Sequence, residues 1–195
     1  LGAVVAMQTL MGTDLVFRFG SDDHRKRLVE PALRGEKIGT IAMTEPDFGS
    51  DLGGIVTRAT PTEGGWIITG QKMWITSATM ADFFTVAAKT DPEAGFKGID
   101  FFLVEKGMPG VRVGRKINKL GVRASETSEL ILDKVQVPAC NLLGKQGTGF
   151  KNLGEILCQI RVMTGALALG LGQAALDSAI KYSNEREQFG RPIAD

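Results

Sequence analysis

The sequence predicts an α+β fold in which a β-rich middle segment is flanked by helical segments. Between residues 38 and 137, short runs rich in β-branched and aromatic residues follow one another without a helical stretch between them. Both ends instead carry helical patterns, and the pattern at the C-terminal end is long and periodic. Strands that follow each other directly favour an antiparallel sandwich or barrel over a doubly wound parallel sheet.

The composition is that of a globular protein whose partner is a small molecule or another protein. Of the 195 residues, 43% are hydrophobic and 23% are charged, and 23 basic residues against 22 acidic ones give a net charge of +1. No cluster of lysines and arginines stands out, which disfavours binding to nucleic acid or to a membrane surface. We find no signal-peptide pattern and count no apolar run of membrane-spanning length, so we expect a soluble chain, and an internal piece of a longer protein.

Cys140 and Cys158 are the only cysteines, and His24 is the only histidine. Their spacing matches no pattern of metal ligands, so a His/Cys metal site is not expected. Both cysteines are predicted to be reduced thiols.

The N-terminal segment is predicted to form two helices. Residues 1–17 mix apolar side chains with Met and Ala, and Gly20 can close this helix while Ser21 caps the next one. Residues 22–30 carry acidic side chains in their first turn, which suit the positive end of a helix dipole. Pro31 and Gly35 are expected to end the second helix. We find no catalytic cluster in this part of the chain.

The middle segment is predicted to be a series of short strands. Turn signals such as Glu63-Gly64-Gly65 and Asp91-Pro92 separate them. The predicted strands cover residues 55–60, 66–69, 73–75, 83–88, 99–104 and 130–137. No glycine-rich dinucleotide-binding pattern follows any of them, which argues against a Rossmann fold.

The last part of the chain predicts one long helix, which follows the loop at residues 144–149 and runs to about residue 185. Gly165 and Gly170 lower helix propensity, so they make most sense where another helix or a ligand comes close. A helical bundle is the expected neighbour. Steps of three and four residues place the following side chains on one stripe: Phe150, Leu153, Leu157, Ile160, Thr164, Leu167 and Leu171.

Two polar segments are candidates for a ligand site. The loop 41–51, IAMTEPDFGSD, offers hydroxyls and glycines that let the backbone approach an anionic or heteroaromatic ligand. The segment 70–77, GQKMWITS, is a strand that ends in the indole of Trp74 and two hydroxyls. Each alone has an ordinary interpretation, a polar turn for the first and a core tryptophan for the second. Together, two segments that present aromatic and hydroxyl groups are suited to hold a planar cofactor.

Four motifs in this order make the chain resemble the acyl-CoA dehydrogenase family: TEPDFGSD, GQKMWITS, VPACNLLG and EREQFGRPI. The resemblance extends over nearly the whole chain. It implies the end of an N-terminal helical domain at residues 1–38, a middle antiparallel β-barrel domain at 39–141 and the start of a C-terminal helical bundle at 142–195. It also implies a non-covalent FAD, an acyl-CoA substrate, an electron-transferring flavoprotein as electron acceptor and a homotetramer.

The resemblance assigns cofactor contacts by position. Thr44 would hydrogen-bond the pyrimidine end of the flavin, Trp74 would pack on the ring, and Thr76 would lie near the reactive nitrogen. Arg186 would meet the pyrophosphate of a neighbouring subunit's FAD, where a guanidinium suits phosphate oxygens. Without the resemblance, the segment around Arg186 is better interpreted as an exposed, charged helix end. The complete implied set is Ile41, Met43, Thr44, Gly49, Ser50, Trp74, Ile75, Thr76, Arg186, Gln188 and Phe189.

Substrate contacts are implied in three places. Ser50 would lie at the border between the flavin and the acyl-CoA, and Ser125 matches a barrel-loop position that touches CoA in relatives. An ordinary loop serine is an equally good interpretation of Ser125. In the long helix, Arg161 would contact the CoA portion, and an arginine among apolar residues would be costly to bury without a partner. The helical segment implied to contact acyl-CoA is Cys158, Gln159, Ile160 and Arg161.

The reaction implied by the resemblance removes an α-proton and transfers a β-hydrogen as hydride, so it needs a carboxylate base. Most family members place this glutamate at a position that would lie beyond Asp195, and a minority place it where this sequence has Ile160. Glu155 lies about 140° around the helix from position 160, and Glu45 belongs to the flavin loop. We therefore expect no catalytic residue in this segment, and no dehydrogenation by the segment alone.

Two alternatives stay open at this point. A flavin oxidase or a desulfinase acting on a CoA thioester would share the flavin site and differ in oxygen access or in the base. A non-catalytic module that binds FAD or acyl-CoA would share the fold without the chemistry. The acyl group is not identified by these residues, and a bacterial cytoplasm and a mitochondrial matrix are equally compatible locations.

Overall fold

The computed structural model describes residues 7–195, which fall into two compact units, one ending at Ile156 and the other comprising Leu157–Asp195. The first unit holds the N-terminal helical pieces, the main β-sheet and the start of the long helix. The second holds the rest of that helix and a small hairpin. Residues 1–6, with which the first predicted helix begins, lie outside the described residues.

The N-terminal segment consists of short helical pieces. A π-helical turn at Met7–Gly12 precedes α1 (Asp14–Phe19). After it, α2 (Asp22–His24) continues through the π-helical Arg25–Val29 into α3 (Glu30–Leu33). The second predicted helix is therefore one uninterrupted helical run from Asp22 to Leu33, whereas the described part of the first is broken at Thr13.

The predicted cap at Ser21 is confirmed, and the helix ends at Leu33, between Pro31 and Gly35, the two residues that were predicted to end it. The Ser21 hydroxyl accepts the N–H of His24 at 3.2 Å, and the His24 ring accepts the N–H of Ser21 at 3.3 Å. Pro31 lies in the first turn of α3, and the helix runs on to Leu33. A proline is tolerated there because a first-turn N–H has no partner within the helix.

The main sheet has two short strands that the sequence did not predict. They are β1 and β6, which are only four and three residues long, so that no alternating pattern can develop. Two predicted runs, 66–69 and 73–75, join into the single strand β3. In the described part of the chain the strands of this sheet are β1 (Gly39–Ala42), β2 (Arg58–Thr62), β3 (Gly65–Thr76), β4 (Phe83–Lys89), β5 (Ile99–Glu105), β6 (Val111–Val113) and β7 (Thr127–Pro138).

The sheet is curled and mixed. β4 pairs along its whole length with β5, over its first half with β1 and at Lys89 with β2, and the sheet continues through β3 and β7 to β6. The predicted α+β class is confirmed, but the sheet is not purely antiparallel, because β1 runs parallel to β4. The hairpin of β2 and β3 lies between them in sequence, which gives the chain enough length to return in the same direction.

The core lies against the inner face of this sheet. Its buried side chains come mainly from β3, β4, β5 and β7, and Trp66 packs edge-on against Phe102 with ring centroids 5.4 Å apart. This packing fixes the strands that carry the candidate site. Among the fully buried members are Ile68, Phe84, Phe102, Val104 and Leu130.

The long helix α4 (Gly149–Glu185) begins at a buried carboxylate. Asp100 on β5 is fully buried and accepts the N–H groups of Gly147 at 2.9 Å and Gly149 at 3.0 Å, and the Thr90 hydroxyl at 2.8 Å. The carboxylate thus satisfies N–H groups at the helix N-terminus and places a negative charge where the helix dipole favours one. The contact is close, since a Cβ on Gly149 would lie 2.5 Å from the Cα of Asp100.

The predicted stripe of α4 is buried only near the start of the helix. Leu153 is 1% exposed, whereas Leu171 is 74% exposed. By length and composition alone, α4 is able to cross a membrane, because an 18-residue window has a mean hydropathy of 1.3. The prediction that no apolar run reaches this length is therefore wrong: Gly, Thr and Gln interrupt the apolar pattern, but residues 162–176 carry no charge. One such helix is only a weak indication of a membrane span.

Candidate functional site

A cavity of about 440 Å³ lies where β1, the end of β3 and the helical pieces before β1 meet. This volume is in the range of about 300–1,000 Å³ that is usual for small-molecule sites. The structure therefore brings together the two polar segments that the sequence singled out. The predicted cofactor-binding residues that line this cavity are Ile41, Met43, Thr44, Trp74 and Thr76.

Two hydrogen bonds hold these segments side by side. The Thr40 hydroxyl donates to the carbonyl of Thr76 at 2.7 Å. The N–H of Met73 donates to the carbonyl of Thr44 at 2.8 Å. Residues from β1 and its following loop thus form one continuous wall with the end of β3.

Trp74 is turned outward by an irregularity in β3. Between Lys72 and Ile75, β3 has one residue more than its partner β7, which is a β-bulge. Trp74 has a φ of 62°, in the left-handed region that residues with a side chain rarely adopt, and it is 54% exposed. Strained backbone of this kind is frequent at functional sites. The tryptophan is therefore not a core residue, and one face of its indole is available to a ligand.

The residues present fit a flavin. Thr44 and Thr76 are half-buried at the cavity, and neither hydroxyl has a hydrogen-bond partner among residues 7–195. Two free hydroxyls beside an exposed indole provide a flat apolar surface with polar groups at its rim, which is what a planar heteroaromatic ring with polar edges requires.

A buried ion pair lies behind this wall. Lys72 is 0% exposed and Glu45 is 2% exposed, and the Lys72 Nζ lies 2.8 Å from the Glu45 Oε1. The ammonium also donates to the carbonyl of Met43 at 3.1 Å. The carboxylate accepts two further hydrogen bonds, from the N–H groups of Val56 at 2.7 Å and Thr57 at 3.0 Å. Both charges are therefore bonded on more than one side.

Burial and pairing act in opposite directions on the two groups. Burial lowers the pKa of the Lys72 ammonium to about 8, and the Glu45 carboxylate limits the drop. For Glu45, burial alone would raise the pKa, but the Lys72 charge and the donated hydrogen bonds outweigh it and hold the pKa below its usual value. Since its carboxylate is engaged in this way, Glu45 is not available as a catalytic base.

Three other predicted residues of these segments do not line the cavity. Gly49 and Ser50 are exposed in the loop after β1. Ile75 is 3% exposed and belongs to the hydrophobic core, because the residue after the bulge returns to the inward face of β3. Only the backbone of Ile75 is left for a cofactor contact.

Ser125 lies beside a second, smaller cavity of about 250 Å³ that is lined by cations. Lys116, Lys119 and Arg123 contribute to its walls, and Lys119 Nζ donates to the carbonyl of Ser125 at 2.6 Å. Sequence reasoning assigned no role to these cations, although they are close together in the sequence. The CoA contact of Ser125 stays a prediction.

In the unit Leu157–Asp195, the predicted substrate residues lie on α4. Cys158, Gln159 and Arg161 are exposed, and Ile160 is half-buried. Successive helical residues differ in direction by about 100°, so these four side chains do not share one face. Cys158 and Arg161 are three residues apart and lie closest to a common face.

The segment after α4 folds into a hairpin. β8 (Glu187–Gln188) and β9 (Arg191–Pro192) pair through a turn at Phe189 and Gly190. Their φ values of 56° and 80° are those of a type I′ turn, in which both central residues are left-handed. Phe189 is fully exposed at the tip, and Arg186 is exposed at the base. The charged helix end is thus followed by a defined hairpin that presents three predicted cofactor residues.

Comparison with known protein families gives a direct result. The model of the acyl-CoA dehydrogenase middle domain matches residues 40–135, and the model of the acyl-CoA dehydrogenase C-terminal domain matches residues 147–195. The chain belongs to the acyl-CoA dehydrogenase family. The family assignment that the motifs implied is therefore confirmed.

Individual proteins and solved structures match over nearly the whole chain. Benzylmalonyl-CoA dehydrogenase of Aromatoleum aromaticum is 52% identical over 194 residues, which cover 99% of this chain and 51% of that protein. A structure of PigA with FAD and proline has a TM-score of 0.94 at 33% identity, and covers 98% of this chain and 50% of that one. A structure of glutaryl-coenzyme A dehydrogenase in complex with glutaryl-CoA has a TM-score of 0.93 at 39% identity. The match covers 99% of this chain and 49% of that one. The chain thus spans about half the length of the relatives it matches.

Sequence reasoning missed two parts of this acyl-CoA dehydrogenase site. The Lys72 to Glu45 pair lies inside the two quoted motifs, but no local signal marks it, because the two residues are 27 positions apart. Gln8 closes the cavity from the helical side, since it donates to the carbonyl of Lys37 at 2.9 Å and accepts the N–H of Gly39 at 3.2 Å. For Gln8 the sequence held no signal, because the contact joins residues about thirty positions apart.

Proposed function

We propose that the full-length protein containing this chain is an FAD-dependent acyl-CoA dehydrogenase. It would convert an acyl-CoA thioester to the trans-2-enoyl-CoA and pass the electrons to an electron-transferring flavoprotein. The observation that carries the proposal is the cavity in which the exposed indole of Trp74 meets the free hydroxyls of Thr44 and Thr76. Membership of the family supports it, as does the likeness to PigA, whose structure contains FAD.

Bound FAD would supply the hydride acceptor, and the residues of this chain would supply its position. Trp74 would cover one face of the ring and exclude water there. Thr44 and Thr76 would donate hydrogen bonds at the ring edge. A hydrogen bond near the reactive nitrogen favours electron density that arrives on the ring, which is one of the few ways in which a protein tunes such a cofactor.

The base that takes the α-proton would come from outside this chain. Among the described residues that line the cavity there is no aspartate or glutamate, and Glu45 is already bonded to Lys72. A general base must lie within hydrogen-bond reach of the proton that it removes. We propose that the base is a glutamate beyond Asp195, the position that the family resemblance implies.

Two features support the proposed substrate class and assembly. Two of the three proteins named above are a benzylmalonyl-CoA and a glutaryl-CoA dehydrogenase, which favours a CoA thioester without defining its acyl group. The exposed hairpin with Arg186 and Phe189 suits a contact with the FAD of a neighbouring subunit in a homotetramer. A guanidinium at this position would bind the pyrophosphate.

The test uses the full-length protein loaded with FAD and a panel of CoA thioesters that differ in chain length and branching. Under anaerobic conditions at least one thioester should bleach the flavin absorption band, and mass spectrometry should detect the enoyl-CoA. The reduced protein should then be reoxidised faster by an electron-transferring flavoprotein than by oxygen. Faster reoxidation by oxygen would indicate an oxidase, and a flavin that no thioester bleaches would indicate a non-catalytic module.

A further inference from the structure

The buried pair of Lys72 and Glu45 has a distinctive place relative to the cavity. Glu45 directly follows Thr44, and Lys72 lies two residues before Trp74. Each charged residue is therefore within two positions of a residue that lines the cavity, but neither of them lines it. The pair therefore links the loop after β1 to β3 behind the residues that line the cavity.

One pair joins three separate segments of the chain. The Lys72 ammonium on β3 bonds the Glu45 side chain at 2.8 Å and the Met43 carbonyl at 3.1 Å. The Glu45 carboxylate bonds the backbone of Val56 and Thr57, which lead into β2. The loop after β1 is thereby fixed to β3 on one side and to the start of β2 on the other.

Apolar side chains would fill the same volume without fixing this geometry. Replacing a buried ion pair by well-packed apolar residues is often neutral or stabilising, so net stability is a weak reason for such a pair. Hydrogen bonds have defined directions, and each bond of this pair fixes a particular backbone or side-chain atom. The pair therefore specifies where the loop lies, more than how stable the sheet is.

We propose that Lys72 and Glu45 are positioning residues that hold the Thr44 loop at the distance from Trp74 that a bound flavin requires. The inference rests on the proposed function, because it presumes a flavin in the cavity. Without the pair, the loop would lose its links to β3 and β2 through Glu45 and would keep only the backbone bond between Met73 and Thr44.

The test compares FAD affinity in full-length variants that are matched for location in the sheet. Lys72→Met breaks the pair, and the double variant Lys72→Met with Glu45→Gln removes both charges, so that no uncompensated charge is left to prevent folding. The control is Leu130→Ala, because Leu130 is the direct neighbour of Lys72 on β7 and belongs to the core. FAD binding is titrated at a temperature at which circular dichroism shows every variant to be folded.

The double variant should bind FAD on the order of tenfold more weakly than the wild type, since small displacements of positioning groups have effects of this size or larger. The control should bind within about twofold of the wild type, because the Leu130 side chain is apolar and belongs to the core, so its truncation lowers stability without removing a hydrogen bond that positions the Thr44 loop. The flavin reduction potential should shift in the double variant and not in the control. Equal FAD affinity and equal potential in the wild type and the double variant would overturn the proposal.

Two further comparisons show whether the pair acts by positioning the Thr44 loop. The first compares two substitutions at position 45, and the second compares the wild type with the double variant. Glu45→Gln keeps an acceptor oxygen, so it should retain more FAD affinity than Glu45→Ala. Equal losses in these two variants would contradict a role in positioning. A wild type that binds no FAD would defeat the proposed function itself, whereas a wild type that binds FAD beside an unaffected double variant would defeat only this inference.

Discussion

The backbone of Trp74 determines what its side chain can do. A regular strand would have continued its alternation, but the bulge and the left-handed φ of 62° turn the indole toward the cavity. For a residue with a Cβ, the left-handed region is disfavoured by about 1–2 kcal/mol. The candidate site therefore stores backbone strain at the residue that we expect to contact the flavin ring.

Replacement of Trp74 by glycine and by valine separates the effect of the backbone conformation on stability from the effect of the indole on FAD binding. Both variants should lose most FAD affinity, since both remove the indole. Trp74→Gly should nevertheless unfold with a free energy about 1 kcal/mol higher than Trp74→Val, because glycine adopts the left-handed region without a steric penalty and a β-branched residue does not. Urea unfolding of the apoprotein measures the difference. Equal stability of the two variants would mean that position 74 does not have this backbone conformation.

Glu45 gives the chain a defined dependence on pH. Its folded-state pKa is lowered, so its contribution to stability is complete above the ordinary value of 4.5 and is lost as the pH falls through the folded-state value. The difference in unfolding free energy between the wild type and the double variant Lys72→Met with Glu45→Gln, in which neither group of the pair titrates, should stay constant from neutral pH to about 5 and fall below 4.5. Denaturant titrations at several pH values test this. A difference that grows on acidification would show that the carboxylate is not stabilised by Lys72.

At the scale of single residues, the motifs predicted Thr44, Trp74 and Thr76 together, and the structure places all three at one cavity. The bulge was not predictable, because no glycine at position 74 marks a left-handed backbone. The buried lysine was not predictable either, since lysines are seldom buried and the partner lies 27 residues away. The local sequence shows which types of residue are present, but which distant residues pair with each other depends on the fold.

Among the elements, α4 depends on a single buried side chain at its start. Asp100 lies on strand β5, and its carboxylate accepts the N–H groups of Gly147 and Gly149. Its neutral analogue asparagine would lose the negative charge and present an amide N–H₂ to at least one donor. A donor that faces a donor leaves buried groups without partners.

Asp100→Asn should lower the free energy of unfolding by about 2–3 kcal/mol, because buried hydrogen bonds to a charged group would be lost. Hydrogen exchange of the amides in the first turns of α4, such as those of Asn152 and Leu153, should accelerate. Asp133→Asn is the matched control, since Asp133 is exposed on β7 and should change stability by less than about 0.5 kcal/mol. An equally small effect of Asp100→Asn would contradict the anchoring role.

The strands show which elements a sequence determines locally. The runs at β4, β5 and β7 were predicted because each is long enough to show its pattern, and each is buried in the core. The parallel pairing of β1 with β4 was not predicted, because it joins residues that are about forty positions apart in the sequence. The pairing of strands that are far apart in the sequence depends on tertiary contacts, and short-range sequence patterns do not predict such contacts.

For the whole molecule, the family models match residues 40–135 and 147–195, so the N-terminal helical pieces lie outside both matches. Helical periodicity predicted α4 but not which of its faces is buried. Within the described residues nothing covers the side chains of Leu169 and Leu171, which are 75% and 74% exposed. The packing of a helix depends on its partners, so its own sequence defines an apolar stripe without defining what lies on it.

The central claim is that the Thr44 and Trp74 segments jointly hold a flavin, and tryptophan fluorescence tests it directly. Trp66 packs against Phe102 in the sheet, whereas Trp74 lines the cavity, so the emission that Trp74→Phe removes from the Trp66→Phe background of the full-length chain reports on the site. Titration of the Trp66→Phe apoprotein with FAD should quench this Trp74 emission stoichiometrically and yield a yellow protein. Emission that stays unchanged with FAD in excess, in a protein that stays colourless, would contradict the account.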